Sequence, residues 1–139
     1  MIVLDTNVLS ELLRTAADPA VLRWMAAQAP GRMYTTAVTR AEMLYGARLL
    51  PPGKRQQRLE ASLAAMFDED FASRVLPFDA AAADAYARIA ADRKQAGRPI
   101  SQFDAQIAAI ALANGGDLAT RNGDDFKGCG VSVVNPWRA

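Results

Sequence analysis

The sequence predicts an α/β sandwich with a mainly parallel sheet. Short apolar runs recur along the chain, each is followed by helical patterning long enough to cross back over a sheet, and Pro or Gly separates the segments. The predicted order is β-α-α-β-α-α-β-α-α-β-β. At 139 residues, 51% of them hydrophobic, residues 1–139 read as one domain with ample core material and too little chain for two catalytic domains.

Ile2 to Leu4 is an apolar triplet ending at Asp5, and Thr6 to Leu13 carries Val8, Leu9, Leu12 and Leu13 at helical spacing: a buried strand feeding a helix. Asp18-Pro19 offers an N-cap followed by Pro at the first helical position, opening a helix through Val21, Leu22, Trp24 and Met25 that Pro30-Gly31 stops. Met33 to Thr36 is the second strand, and Thr39-Arg40-Ala41-Glu42 opens a helix to about Leu50, where Pro51-Pro52-Gly53 breaks it. From about Lys54 to Phe67 a helix sets Lys54, Arg55 and Arg58 opposite Leu59, Leu63 and Met66.

Arg74 to Phe78 reads as a strand ended by Pro77, and Asp79 caps an Ala-rich helix that Gly97 closes. Ser101 to Ala113 is helical, with Phe103, Ile107, Ile110 and Ala111 on one side, and Asn114-Gly115-Gly116 ends it. Asp117 to Thr120 is a short strand, Arg121 to Gly130 a polar loop with one helical turn, and Val131 to Val134 the last strand.

Composition narrows the chemistry mainly through what is missing. Sixteen Lys+Arg balance fifteen Asp+Glu for a net charge of +1, so a broadly basic body for gripping nucleic acid is not indicated. The absence of histidine removes imidazole bases, Ser-His-Asp triads and His-ligated zinc. A single cysteine, Cys129, excludes an internal disulfide and a CxxC metal site, and fits a reducing cytosol. The N-terminus lacks the basic region of a signal peptide, and no apolar run approaches the roughly 20 residues of a membrane helix; a cytoplasmic protein is expected.

In parallel α/β sheets, ligand sites form beyond the carboxyl ends of the strands. Asp5 ends the first strand, Glu42 falls in the first turn of the helix after the second, Asp104 in the first turn of a later helix, and Asn122, Asp124 and Asp125 in the loop after Leu118-Ala119. Each has a purely structural explanation. Thr39-x-x-Glu42 and Ser101-x-x-Asp104 fit capping boxes, Asp5 can cap the helix at Thr6, and Asp125 can cap a turn at Phe126. Taken together they imply more, because like charges crowded on one rim raise each other's pKa or demand a counter-cation. With oxygen donors only, that cation is a hard one, Mg²⁺ or Mn²⁺, suited to activating water and neutralising a phosphoryl group.

Ile2-Val3-Leu4-Asp5-Thr6-Asn7-Val8, Thr39-Arg40-Ala41-Glu42-Met43-x-x-Gly46, Asp104 with Ile107-Ala108, Thr120-Arg121-Asn122-x-x-Asp125-Phe126 and Asn135-Pro136-Trp137 stand in order along the chain. Together they resemble PIN-domain ribonucleases of the VapC toxin type, nearest the FitB or plasmid-stability branch. The resemblance implies a three-layer PIN-like sandwich and an Mg²⁺- or Mn²⁺-dependent endoribonuclease, the toxin of a type II toxin–antitoxin pair. It also implies a cognate antitoxin, a homodimer, operator DNA bound only through the antitoxin, and cut ends carrying 3′-hydroxyl and 5′-phosphate. By that resemblance Asp5, Glu42 and Asp104 bind the metal. Some relatives have Asp where this chain has Asn122; either Asn122 or Asp125 completes the site.

Thr6, Asn7 and Thr120 could serve the scissile phosphate or only start helices, and Arg121 is a phosphate candidate. Lys54, Arg55 and Arg58 read as a solvated face, Trp24, Tyr45 and Trp137 as core or interface, and Cys129 as inert. Leu9, Leu13, Val21, Leu22 and Met25, partly exposed on the first two helices, are candidate antitoxin contacts. Two rival readings are a receiver-like or haloacid-dehalogenase-like phosphotransfer domain, which lacks its second acid because residue 7 is Asn, and a non-catalytic module whose acidic rim captures a basic peptide.

Overall fold

Strand β1 (Ile2–Leu4) lies at the middle of a five-stranded sheet because all three of its side chains are apolar and both faces of the sheet are covered. In the computed structural model, which describes all 139 residues, it pairs in parallel with β2 (Met33–Thr36) on one side and β4 (Asp117–Ala119) on the other. β3 (Val75–Leu76) and β5 (Val133–Val134) add the edges, both parallel, giving the order β3-β2-β1-β4-β5. The order reverses at β1, so the crevice at its carboxyl end is the topological switch point where such sheets bind ligands.

Six helices cover the sheet: α1 (Thr6–Leu12), α2 (Pro19–Ala26), α3 (Ala37–Arg48), α4 (Lys54–Ala65), α5 (Ala80–Gln95) and α6 (Gln102–Ala113). Strand alternation divides the core in two. Val3 and Leu118 face Ile89 of α5 and Ile107 and Ile110 of α6. Ile2, Leu4 and Ala119 face Val8 and Leu9 of α1, Leu63 of α4 and Phe67. This is the three-layer sandwich expected from the sequence, in the expected order of elements.

Several details differ from the sequence reading. The strand expected over Arg74–Phe78 is reduced to Val75–Leu76, since Pro77 has no N–H to extend the ladder, and the last strand to Val133–Val134. The helix expected to reach Phe67 ends at Ala65 and runs on as a π-helical turn, Met66–Asp70. α3 starts two residues before Thr39, because Thr36 is the residue whose hydroxyl accepts from the Thr39 N–H; Glu42 therefore lies in the second turn, outside any capping box. Phe103 is exposed, and Leu9 and Val21 are fully buried. No helix is long and apolar enough to cross a membrane.

Leu4 is fully buried at the sheet centre. Leu4→Ala is expected to lower unfolding stability by about 3 kcal/mol through a lost side chain and the cavity left behind, read from the urea midpoint at constant slope.

Candidate active site

Asp5 directly follows β1, and only 5% of its surface is exposed. The backbone turns there from strand to helix, so its Oδ1 caps α1 by accepting from the Thr6 N–H at 2.8 Å. Its Oδ2 accepts from Thr120 Oγ1 at 2.7 Å and from Asn7 Nδ2 at 3.3 Å. Thr120 follows β4, the strand beside β1, and its hydroxyl is saturated. It gives its one hydrogen to Asp5 and accepts from Asn7 Nδ2 and the Asn122 N–H, both at 3.1 Å. Asn7 Oδ1 in turn accepts from the Arg121 N–H at 3.2 Å. Thr6, Asn7, Thr120 and the loop carrying Arg121 and Asn122 thus form one network around a buried carboxylate.

Glu42 reaches the same crevice from α3. Thr6 Oγ1 donates to Glu42 Oε1 at 3.0 Å and lies 3.1 Å from Thr39 Oγ1, which is 3.2 Å from Thr36 Oγ1. An ionised carboxylate only accepts, so the three hydroxyls must align in one direction: Thr36 donates to Thr39, Thr39 to Thr6, and Thr6 to Glu42. The sequence reading did not mark Thr36 and Thr39 as parts of the site.

Asp104 stands in the first turn of α6, where Ser101 caps by accepting from the Asp104 N–H at 3.2 Å, as the box spacing suggested. Asp125 does not cap a turn at Phe126. It sits inside a 3₁₀ turn (Gly123–Phe126), and its N–H donates to the Asn122 carbonyl at 3.0 Å. Another residue the sequence did not mark, Arg93 of α5, fixes this loop. Its buried guanidinium donates to the carbonyls of Asp125 (2.8 Å), Lys127 (2.9 Å) and Arg98 (2.7 Å), and to Cys129 Sγ (3.5 Å). Asp104, Asp125, Ser101 and Arg93 line one small cavity.

The acids feel one another. Burial raises the pKa of Asp5, the bonds from Thr120 and Thr6 oppose this, and the charges of Asp104 and Asp125 raise it further. Burial also raises Glu42, against the Thr6 bond and with the charges of Asp5 and Asp104. Burial raises Asp104 too; the Ser101 bond and the Arg93 charge oppose it, and Asp125 adds to it. None of the four ion pairs in the structure includes Asp5, Glu42, Asp104 or Asp125.

Three acids with raised affinity for protons, Asp5, Glu42 and Asp104, with the Asp125 charge nearby and no cationic partner in contact, are a donor set that fits a hard divalent cation. No three acidic or thiol side chains close around a single point. An ion that retains several waters needs only one or two direct carboxylates, so this spacing suits it. The sole thiol is buried and bonded to Arg93, outside the set.

A parallel α/β sheet with an acidic, histidine-free pocket at the switch point defines the class: an oxygen-donor site of the kind that handles phosphodiesters with a metal. Residues 2–129 match the PIN domain, and the chain belongs to that family of metal-dependent nucleases. It is 45% identical to the plasmid stability protein StbB of Pseudomonas syringae pv. tomato over 100% of both chains. It is 42% identical to the VapC ribonuclease Y4jK of Sinorhizobium fredii over 99% of this chain and 98% of that one. The toxin in the FitAcB crystal structure from Neisseria gonorrhoeae superposes with a TM-score of 0.93 at 38% identity, over 100% of both chains.

The raised pKa of Asp104 fixes the sign of its effect on stability. The folded chain holds this proton more tightly than the unfolded chain, so ionisation opposes folding. The penalty is absent below the ordinary carboxylate pKa, sets in as pH rises through the window up to the raised value, and is complete above it. In chelator at pH 7.5, Asp104→Asn is therefore expected to melt higher than the parent, on the order of 2 °C given screening at a half-exposed group, with the difference shrinking toward pH 4. Thermal melts across that range read it.

Proposed function

We propose that the chain is a metal-dependent endoribonuclease, the toxin of a type II toxin–antitoxin pair, acting in the cytoplasm as a single-domain subunit. The observation that carries this reading is the unpaired acidic set that α3 and α6 bring to Asp5 at the carboxyl end of β1, in a family whose relatives include a named ribonuclease.

In this reading Asp5, Glu42 and Asp104 hold Mg²⁺, with Mn²⁺ able to substitute, and Asp125 or Asn122 completes the pocket. The bound ion supplies charge neutralisation at the phosphoryl group and a water of lowered pKa. The chain's own residues do the rest. Thr120 and Asn7 hold the Asp5 carboxylate in one rotamer, and the aligned Thr36-Thr39-Thr6 hydroxyls hold Glu42. Asn7 also ties the Arg121 backbone N–H, which fixes the start of the loop after β4 beside them. With no histidine present, proton transfer falls to the carboxylates and water, and no covalent intermediate on the protein is required.

The antitoxin is the second partner. A cavity of about 380 Å³ between α1, α3 and α4 is lined by Leu13, Met43 and Leu59 and reaches Glu42. An amphipathic segment could lie in it and bring a basic side chain to the acids. Leu13, Leu22 and Met25 remain available as contacts, whereas Leu9 and Val21 are core residues and drop out. A homodimer is expected, with operator DNA reached through the antitoxin.

Purified chain free of antitoxin is expected to cut a structured RNA pool with Mg²⁺ or Mn²⁺ and not in chelator. Asp104→Asn and Asp5→Asn should lower the rate about a hundredfold or more while the far-ultraviolet circular dichroism stays native. Parental rates in a folded Asp104→Asn protein would remove the assignment.

A further inference from the structure

Beside the acidic pocket lies a second, polar cavity of about 630 Å³, between the loop after β4 and the C-terminal turn. It shares Asn122 and Asp125 with the acidic site. Its one hydrophobic wall is Trp137, whose ring carries the Arg121 guanidinium at 5.0 Å from the centroid. The other side of the pair is fixed as well. The Arg121 N–H is held by Asn7, and the Trp137 N–H by Asn135 Oδ1 at 2.9 Å. Trp137 also packs against the core cluster of Ile2, Leu4 and Leu9.

The charges around this cavity are unevenly used. Asp18 spends its carboxylate capping α2 at the Ala20 N–H, 2.9 Å away, and Asp124 is paired with Lys127 at 3.0 Å. Arg121 and Arg138 take part in no ion pair. A guanidinium placed over an indole ring, in no ion pair and one residue from the Thr120 that holds Asp5, is preorganised for a phosphate.

We propose that this cavity is the subsite for a nucleotide of single-stranded RNA adjoining the bond to be cut. Arg121 contacts its phosphate, and Trp137 is a positioning residue that holds the guanidinium in place. The proposal rests on the ribonuclease reading, and binding is measured separately from cleavage so that the two can fail independently.

The test is fluorescence anisotropy of a labelled single-stranded RNA oligonucleotide with the full chain in Ca²⁺, over a salt series, alongside thermal melts. Arg121→Ala is expected to weaken binding about tenfold and to shallow the slope of log Kd against log salt by about 0.7, one phosphate contact on a single strand. Trp137→Ala should shift the slope in the same direction, Trp137→Phe should restore it by keeping an aromatic face, and the double variant should bind no worse than Arg121→Ala alone. Binding by Arg121→Ala within twofold of the parent, or a Trp137→Ala protein that loses melting temperature with its salt slope intact, overturns the subsite. A chain that binds RNA through Arg121 but cuts none keeps a single-stranded RNA site at this cavity and removes both the ribonuclease reading and the placement beside a bond to be cut.

Discussion

The site is organised by the cost of burying Asp5. A carboxylate with 5% of its surface exposed, beside other acids and without an ion-pair partner, is held ionised only by hydrogen bonds and by whatever cation comes to it. Those bonds come from Thr6, which begins α1, from Asn7 beside it, and from Thr120, which follows β4. The polar arrangement therefore depends on β1 and β4 being neighbours in register, with Leu4 opposite Ala119. A one-residue slip would turn Leu4 and Ala119 out of their core cluster and carry Thr120 away from Asp5. The apolar core thus keeps the charged group in place.

The same dependence explains why threonine recurs here. A threonine hydroxyl can donate once and accept twice, and its β-branched body suits the end of a strand. Thr36 ends β2 and caps α3, and Thr39 passes its hydrogen along to Thr6. The direction of that chain is imposed by Glu42, which can only accept when ionised. If Glu42 takes up a proton, as its burial favours, the alignment is no longer forced, so the ionisation of one acid and the order of three hydroxyls are coupled.

Asp5 was legible because an apolar triplet ending in a carboxylate, followed by helical spacing, can only be a strand delivering an acid to its carboxyl end. Ser101-x-x-Asp104 was legible for a similar local reason and folds as its spacing suggests. Thr39-x-x-Glu42 has the same signature and misleads. Thr36 offers a competing hydroxyl three residues earlier, and only the end of β2 decides which one caps. Arg93 was illegible because a basic residue late in an Ala-rich helix reads as solvated; its partners are carbonyls more than 30 residues away in the chain, apart from that of Arg98. Phe103 misleads in the other direction, since an aromatic in the first turn of α6 overhangs the crevice and does not enter the core.

The loop after β4 divides its work between two residues that spacing alone could not separate. Asn122 is tied through its backbone, donating to Thr120 and accepting from the Asp125 N–H, so the position shapes the turn. Asp125 carries the charge, which both Asp5 and Asp104 register. Arg93 grips the Asp125 carbonyl and so fixes the backbone while leaving the carboxylate without an ion pair. An aspartate at position 122 would add a charge to a group already short of cations. A neutral asparagine keeps the turn without that charge, and the buried arginine holds the backbone of Asp125, the acid of this loop that Asp5 and Asp104 register.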